Sequence, residues 1–309
     1  MSTQSNAVSE SPLVSQTAAP AVISPFQRFY WSVRRELWEH RGVFIAPSAV
    51  AAFVIVAVII AVVRRALGIS VNFVVAVNGT EQHPPMAYIP AMAIMSVAFL
   101  AAALYCLGAL HGERRDRSVL FWKSLPVSDT TTVLAKITIP LIAVPVFTMA
   151  LTIVTQVVIL LILTPTQIAA GQSSAELWAN AELPQMWGLS LYHMVTILML
   201  WYAPIYAWLL MISAWAKRAP ILWAVLPPVL AGIVEKIAFN SEHVFRLLRD
   251  RLNGDTANAM TNMRGMMFSP VSQPTPVSFL TNPELWIGLA VAAMFLIVAI
   301  RLRRSQGII

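Results

Sequence analysis

The polar residues with the most regular spacing lie inside long apolar segments of the 309-residue chain. One set falls at i, i+4, i+7 and i+8, the spacing of a single helix face: Thr148, Thr152, Thr155 and Gln156. Such groups either hydrogen-bond to neighbouring membrane helices or line a polar pathway, and the sequence leaves both readings open. Glu235 and Lys236 end another apolar segment, where they form either a pair that reaches water or part of a gate or substrate contact.

Motifs of common catalytic sites are absent from the chain. It has no Gly-x-x-x-x-Gly-Lys-Ser/Thr loop to hold the phosphates of ATP, no His-Glu-x-x-His pair and no Gly-x-Ser-x-Gly elbow. Cys106, the single cysteine, lies in an apolar run without neighbours at metal-ligand spacing, and we expect a small buried hydrophobic residue. We therefore predict that the chain is not an enzyme and holds no cofactor or metal.

Residues 113–129, between two long apolar segments, are the most informative stretch. The stretch begins with Glu113 and Arg114 and continues with five large apolar residues: Val119, Leu120, Phe121, Trp122 and Leu125. Wound as a helix, these apolar side chains point in nearly every direction, so contact with lipid alone would not satisfy them. We predict a short helix that binds a protein partner, with Phe121 and Trp122 among its buried anchors. The alternative is an interfacial helix without a partner.

Composition places the chain in a membrane. It is 58% hydrophobic and 11% charged, whereas soluble domains carry about 25% charged residues. A span needs about 20 mostly apolar residues, and six segments qualify: Gly42–Val63, Met86–Leu110, Ile137–Thr164, Leu189–Trp215, Ile221–Phe239 and Leu285–Ile300. Within the fifth, Pro227-Pro228 predicts a bend or break. The predicted fold class is an all-α integral membrane protein with six transmembrane helices.

The segments outside the spans also carry signals. Residues 1–25 are rich in Ser, Ala, Pro and Gln and predict a disordered cytoplasmic tail, which leaves 26–309 as the six-span domain. After Pro25, apolar residues recur at helical spacing and Glu36 lies off their stripe, on the polar face. This pattern predicts an amphipathic helix in the inner membrane interface or, alternatively, an extension of span one. Within the long loop 240–284, His243–Leu252 predicts a short interfacial helix ended by Gly254.

The net charge is +7, but the basic residues flank the apolar runs instead of forming one patch. This pattern indicates membrane orientation and argues against a nucleic-acid partner. Most Lys and Arg residues lie before span one, after spans two and four, and at the C-terminus. We therefore predict that both termini are cytoplasmic, with an even number of spans. Arg64-Arg65 runs against this bias and is expected to reach the outer lipid headgroups.

Residues 113–129 resemble the cytoplasmic loop of the type 2 family of ATP-binding-cassette (ABC) transporter permeases. That family commonly shows Glu-Arg, then a Gly and a small hydroxyl residue, an aliphatic helix, a Pro-aliphatic-Ser turn and entry to the next span. The corresponding residues here are Glu113-Arg114, Ser118, Val119–Leu125, Pro126-Val127-Ser128 and Val133–Lys136. Arg117 stands where the family often has Gly. The six-span plan, the lead-in helix and the long outer loop are similar as well.

The resemblance implies a mechanism. The loop helix would be a coupling helix seated in a cleft of a separate ATPase subunit, which would hold the ATP and Mg. Two permeases, identical or different, and two ATPases would form the working unit in a bacterial plasma (inner) membrane. Closure of the ATPases would move the loop and alternate access to a pathway at the permease interface, and export is the expected direction.

Two other classes of protein remain as alternatives. A non-transporting scaffold or sensor could use the same loop to dock a cytoplasmic signalling protein. A self-contained secondary transporter would need ion-coupling carboxylates at mid-membrane, and spans one to four contain no Asp or Glu.

Overall fold

The computed structural model describes residues 24–69, 88–115, 128–171, 173–181, 183–253 and 276–305. These residues form an all-helical structure in which no strand occurs. The first half of the chain contains α1 (Pro25–Glu39), α2 (Gly42–Ala66), α3 (Tyr88–Ala109), α4 (His111–Arg115), α5 (Asp129–Thr138), a π-helical segment (Ile139–Ala143) and α6 (Val144–Ala169). The second half contains α7 (Ser174–Asn180), α8 (Leu183–His193), a second π-helical segment (Met194–Trp201), α9 (Ala203–Trp215), α10 (Pro220–Phe239), α11 (His243–Asn253), α12 (Pro276–Thr281) and α13 (Pro283–Ser305).

Five of the described helices are long and apolar enough to cross a membrane: Gly42–Ala66, Pro90–Glu113, Asp129–Ala169, Pro220–Phe239 and Pro283–Ser305. A sixth candidate is the pair Ser174–Trp201 and Ala203–Trp215, which meets at an angle of 42° where the predicted fourth span lies. The chain is therefore a multi-pass membrane protein by length and composition. Each predicted span falls on one of these helices or on this pair.

Local sequence signals set several helix starts. Pro25 is the first residue of α1, and Ser24 and Gln27 form a capping box in which each side chain accepts from the other's backbone N–H. Ser128 caps α5 in the same manner, since its Oγ accepts from the Thr131 N–H at 3.1 Å. By contrast, α10 continues through Pro227-Pro228, so the predicted interruption of that span is absent.

Helix α1 buries part of its apolar stripe together with two polar residues that lie off the stripe. Val33 and Leu37 do pack against the core, but Phe26 is 77% exposed and Ser32 and Glu36 are buried. The sequence placed Glu36 on the polar face of the helix. That placement is wrong, because Glu36 is only 1% exposed and faces α5 and α3.

The core forms where α3, α9 and α13 meet. Tyr105 and Cys106 of α3 pack there with Tyr206 and Leu210 of α9 and with α13, and all are buried. Small residues let α9 and α13 approach closely along Ala203, Ala207 and Ala292. Helix α10 packs more sparsely, with only Ala224 and Gly232 buried among its residues. The core thus holds the last turns of α3 and α13 and the start of α5 at the same end of the bundle.

Candidate functional site

Charged side chains from four parts of the chain meet at the end of the bundle where α3 ends and α5 begins. We call this set the ionic cluster: Arg35, Glu36, His40, Glu113, Asp129, Lys136 and Arg303. Its members come from α1, α4, α5 and α13 and from His40 just after α1. Within this set, three carboxylates face three Lys or Arg side chains, and the half-exposed Glu39 carboxylate lies beside them, 3.5 Å from Arg35 Nε.

Lys136 is the centre of the cluster. Its side chain is fully buried, and its Nζ lies 2.8 Å from Glu36 Oε1 and 3.0 Å from Glu113 Oε1. Tyr105, on α3, donates its hydroxyl to the same Glu36 oxygen at 2.8 Å. A buried charge persists only where such partners replace water. Lys136 therefore ties the start of span three to α1 and to the end of span two.

Arg303, near the end of α13, bridges two carboxylates. Its Nη1 lies 2.7 Å from Glu113 Oε2, and its Nε lies 3.0 Å from Asp129 Oδ1. The Arg303 side chain is only 8% exposed. Glu113 and Asp129 are the two ends of the 113–129 segment, so one guanidinium from the last helix holds both of them.

The remaining members lie at the edge of the cluster. Arg35 Nη2 is 3.9 Å from Glu113 Oε1 and 3.8 Å from Glu36 Oε2. His40 Nδ1 lies 3.1 Å from Glu36 Oε1, and its ring packs edge-on against Tyr105 at 5.0 Å between centroids. These contacts surround Glu36 with donors.

The surroundings of Glu36 shift its titration. Burial raises its pKa, but hydrogen bonds and charge attraction from His40 and Lys136 outweigh burial and bring the pKa from 4.5 to about 2. Glu36 therefore remains ionised at neutral pH inside the protein.

The residues predicted to bind a partner divide into two groups. Val119, Leu120, Phe121, Trp122 and Leu125 lie outside the described residues, and the partner-binding prediction stays a prediction for them. Arg114 belongs to the short helix α4. Glu113 lies inside the ionic cluster, with a side chain 10% exposed, and not at a surface rim. Its carboxylate anchors the segment to its own chain.

The predicted polar face of span three is buried. Thr148, Thr152, Thr155 and Gln156 are each at most 1% exposed. The hydroxyls of Thr148 and Thr155 donate to carbonyls four residues earlier in their own helix, at 2.7 Å each. Gln156 Oε1 accepts from Trp187 Nε1 at 2.9 Å. These contacts fit packing between helices within one chain better than the lining of a pathway between chains.

Glu235 organises the turn between α10 and α11. Its two carboxylate oxygens accept from the backbone N–H groups of His243 and Val244 at 2.9 and 2.7 Å, and Oε1 also accepts from Ser241 Oγ at 2.6 Å. The first N–H groups of a helix lack intrahelical partners, so Glu235 acts as a remote cap for α11. Lys236 Nζ lies 2.7 Å from Glu242 Oε1, and both side chains are more than half exposed.

The far end of α11 reaches the body of the bundle. The Arg251 guanidinium lies over the Trp201 ring at 4.3 Å from its centroid and donates to the Glu284 carbonyl at 3.3 Å. A Cβ placed on Gly288 would fall 1.5 Å from Arg251 Nη2, so Gly288 makes room for the arginine. Tyr202 also donates its hydroxyl to the Leu252 carbonyl at 2.9 Å.

Among the described residues, one group has atoms spaced as metal ligands: Glu36, Glu39 and His40, whose ligand atoms lie within 4.8 Å of one another. Glu36 is already engaged by the Lys136 ammonium and the Tyr105 hydroxyl. The buried cation beside it would repel a metal ion, so the group does not argue for a metal centre.

Sequence reasoning missed the cluster as a unit, although a signal was present. Lys136 and Arg303 counted only among the charges that orient the spans. Yet Gly288, Ala292, Ala299 and Arg303 share one helix face at intervals of four, seven and four residues, and all four are buried. A charge at the end of a stripe of small residues indicates a buried partner.

Comparison with known proteins returned no relative of the chain. No protein-family model matches it, and neither a curated protein nor a solved structure does.

Proposed function

We propose that the chain is the membrane-spanning permease subunit of an ATP-driven ABC exporter, powered by a separate ATPase subunit that binds the 113–129 segment. The observation that carries the proposal is the attachment of this segment at both of its ends. Glu113 and Asp129 are held by buried cations from other helices. A segment that receives a push from a partner must be joined firmly to the helices that it moves.

Attachment to several helices suits this role. Through Glu113, the segment contacts Lys136 at the start of span three and Arg303 at the end of the last helix. Through the Glu36–Lys136 pair, the same cluster includes α1. A buried ionic network is weak evidence for stability, because apolar residues of similar volume often stabilise a fold as well. We infer that its use here is to fix relative positions.

Contacts between distant parts of the chain support six crossings. Arg303 and Asp129 touch, so an even number of crossings separates them. Asp129–Ala169, Pro220–Phe239 and Pro283–Ser305 supply three, and the bent pair Ser174–Trp201 and Ala203–Trp215 supplies the fourth. His111 Nδ1 lies 3.1 Å from the Ala216 carbonyl oxygen, which also favours a crossing by this pair. Together with the positive-inside bias, this supports our proposal that both termini and the ionic cluster lie on the cytoplasmic side of a bacterial inner membrane.

The length of span three also favours a link to a partner. Asp129–Ala169 covers 41 residues, which at 1.5 Å per residue is about 60 Å, whereas the hydrocarbon core of a bilayer is about 30 Å thick. Part of this helix must project beyond the bilayer or tilt strongly. Its start carries Asp129 and Lys136, so we place the projecting part at the ionic cluster, next to the partner.

A pull-down from native membranes tests this proposal. The tagged chain is solubilised in mild detergent, and ATP hydrolysis per mole of chain is measured in the eluate. We expect hydrolysis with the natural chain and its loss with Phe121→Ala or Trp122→Ala, because each removes an anchor. Trp38→Ala is the matched control, since Trp38 is 64% exposed on the helix before span one.

Two results would contradict the proposal. An eluate of the natural chain without ATP hydrolysis would favour the scaffold or sensor alternative. Full hydrolysis after both loop substitutions together would show that the ATPase binds elsewhere.

A further inference from the structure

Arg303 has a geometry that an ordinary surface ion pair lacks. The guanidinium is buried, and its Nη1 and Nε address different carboxylates, Glu113 at 2.7 Å and Asp129 at 3.0 Å. These two acids lie on opposite sides of residues 114–128. Pairs at exposed sites stabilise proteins little, but removal of one partner from a buried pair leaves an unpaired charge.

The chemistry of arginine suits this position. A planar guanidinium with several fixed N–H donors can hold two carboxylates in set directions, whereas a lysine ammonium is a point charge on a flexible stem. The next residue strengthens the junction, since Arg304 Nη2 donates to Thr130 Oγ1 at 3.1 Å. The end of α13 is thus attached to the start of α5 at two successive residues.

The helix behind Arg303 can carry a displacement. Helix α13 is unbroken from Pro283 to Ser305, and its small residue Ala292 packs with Ala203 and Ala207 of α9. A helix is stiff along its axis, so movement of its last turn moves the helix face against α9. The connection therefore runs from the 113–129 segment through Arg303 to the last span and onward to the fourth.

We propose that Arg303 is the positioning residue that binds both ends of the 113–129 segment to the last span, so that displacement of the segment moves α13. The inference rests on the proposed function, because it assigns the route by which the partner's movement enters the membrane. Within the described residues, Arg303 is the group that joins Glu113 and Asp129 in this manner.

The test follows the last helix in the complex with its ATPase. Spin labels at Leu134→Cys and Ile297→Cys, both exposed, report the distance between α5 and α13. A further labelled pair, Ser124→Cys and Leu134→Cys, reports the segment itself. Both distances are measured without nucleotide and with ATP and vanadate. The variants are Arg303→Gln, Arg303→Lys and, as the matched control, Arg301→Gln on the exposed side of the same helix.

In the natural chain and in Arg301→Gln, we expect nucleotide to change both distances. In Arg303→Gln, the ATPase should remain bound and the segment distance should still change, but the change between α5 and α13 should be lost. If Arg303 served stability alone, its substitution would reduce the nucleotide-dependent change in both distances together. If Arg303→Gln does not accumulate, Arg303→Lys keeps the charge and should show a reduced change between α5 and α13.

Other outcomes are decisive as well. A full response between α5 and α13 in Arg303→Lys, or in Arg303→Gln where that variant folds, would overturn the assignment and leave the proposed function in place. Failure of the natural chain to retain an ATPase would remove the proposed function, and the inference with it. A measurement on the free chain separates the two cases: Arg303→Gln should broaden the distance distribution between Leu134→Cys and Ile297→Cys, and Arg301→Gln should not.

Discussion

The two ends of the helix bundle use charge in opposite ways. At the ionic cluster, Lys136 and Glu36 are at most 1% exposed and lie 100 positions apart in the sequence. At the α10–α11 turn, Lys236 and Glu242 are 58% and 51% exposed and lie six positions apart. A buried, long-range pair fixes how distant helices sit, whereas an exposed, local pair supports a single turn. This difference predicts which substitutions are costly.

The largest effect should follow Lys136→Met. It leaves the Glu36 carboxylate buried without its ammonium partner, and removal of one partner from a buried pair costs about 3–5 kcal/mol. We expect the free energy of unfolding in mixed micelles to fall by that order, or the protein to fail to accumulate. Glu36→Gln added to Lys136→Met should recover part of the loss. Equal stability of Lys136→Met and the natural chain would contradict the buried pair.

A pH titration sharpens the same contrast. The pKa of Glu36 is lowered from 4.5 to about 2, so its contribution to stability is fully present above pH 4.5 and is lost as the pH falls toward 2. The thermal stability of the natural chain in detergent should therefore fall more steeply over this interval than that of Glu36→Gln. Parallel curves would mean that Glu36 is not held by its donors. The difference between the two curves removes the contribution of the carboxylates that both proteins share.

Gly288→Ala tests the other end where α13 packs against Arg251. The added methyl would meet Arg251 Nη2, so the guanidinium must leave the Trp201 ring and the Glu284 carbonyl. Those contacts are worth about 1–2 kcal/mol together, and we expect a loss of that order in the free energy of unfolding.

Gly108→Ala is the matched control, because a Cβ at Gly108 would meet no atom within 4 Å other than its chain neighbours and the backbone of its own helix. In a helix, Ala is also favoured over Gly by up to about 1 kcal/mol. On an Arg251→Ala background, Gly288→Ala should no longer destabilise. A loss that persists on that background would show that the methyl meets something other than the arginine.

The smallest effect should follow Lys236→Ala. Exposed pairs gain little, because water screens both charges and both side chains lose freedom. We expect no measurable change in the midpoint of thermal unfolding in detergent. A change as large as that of Lys136→Met would remove the distinction between the two ends.

Five of the predicted spans fall on single helices long and apolar enough to cross a membrane, because a span must be a long apolar run. The capped start of α1 at Pro25 and the short helix at His243 were likewise local signals, and both helices are present. A break at Pro227-Pro228 was a wrong prediction, since α10 continues through both residues, whereas the alternative of a bend stays a prediction. The tendency of proline to end a helix therefore does not decide by itself where α10 ends.

The pairing of charges could not be read from the sequence. Glu36 and Lys136 each look like ordinary interfacial charges, and only their tertiary positions bring them to 2.8 Å. Glu113 likewise gives no sign in the sequence that Lys136 and Arg303 converge on it. For Glu235, the sequence indicated only a charge at the end of a helix. Its role as a cap depends on where α11 begins. Long-range partners of this kind require the fold.

Photocrosslinking from position 122 tests the central claim most directly. A benzophenone amino acid replaces Trp122 in the full chain in native membranes, and a second variant carries it at Trp286, which is 59% exposed at the other end of the bundle. We predict an adduct from position 122 with a protein that a photoreactive ATP analogue also labels, and no such adduct from position 286. Absence of an ATP-labelled adduct at position 122, or equal adducts from both positions, would contradict the account.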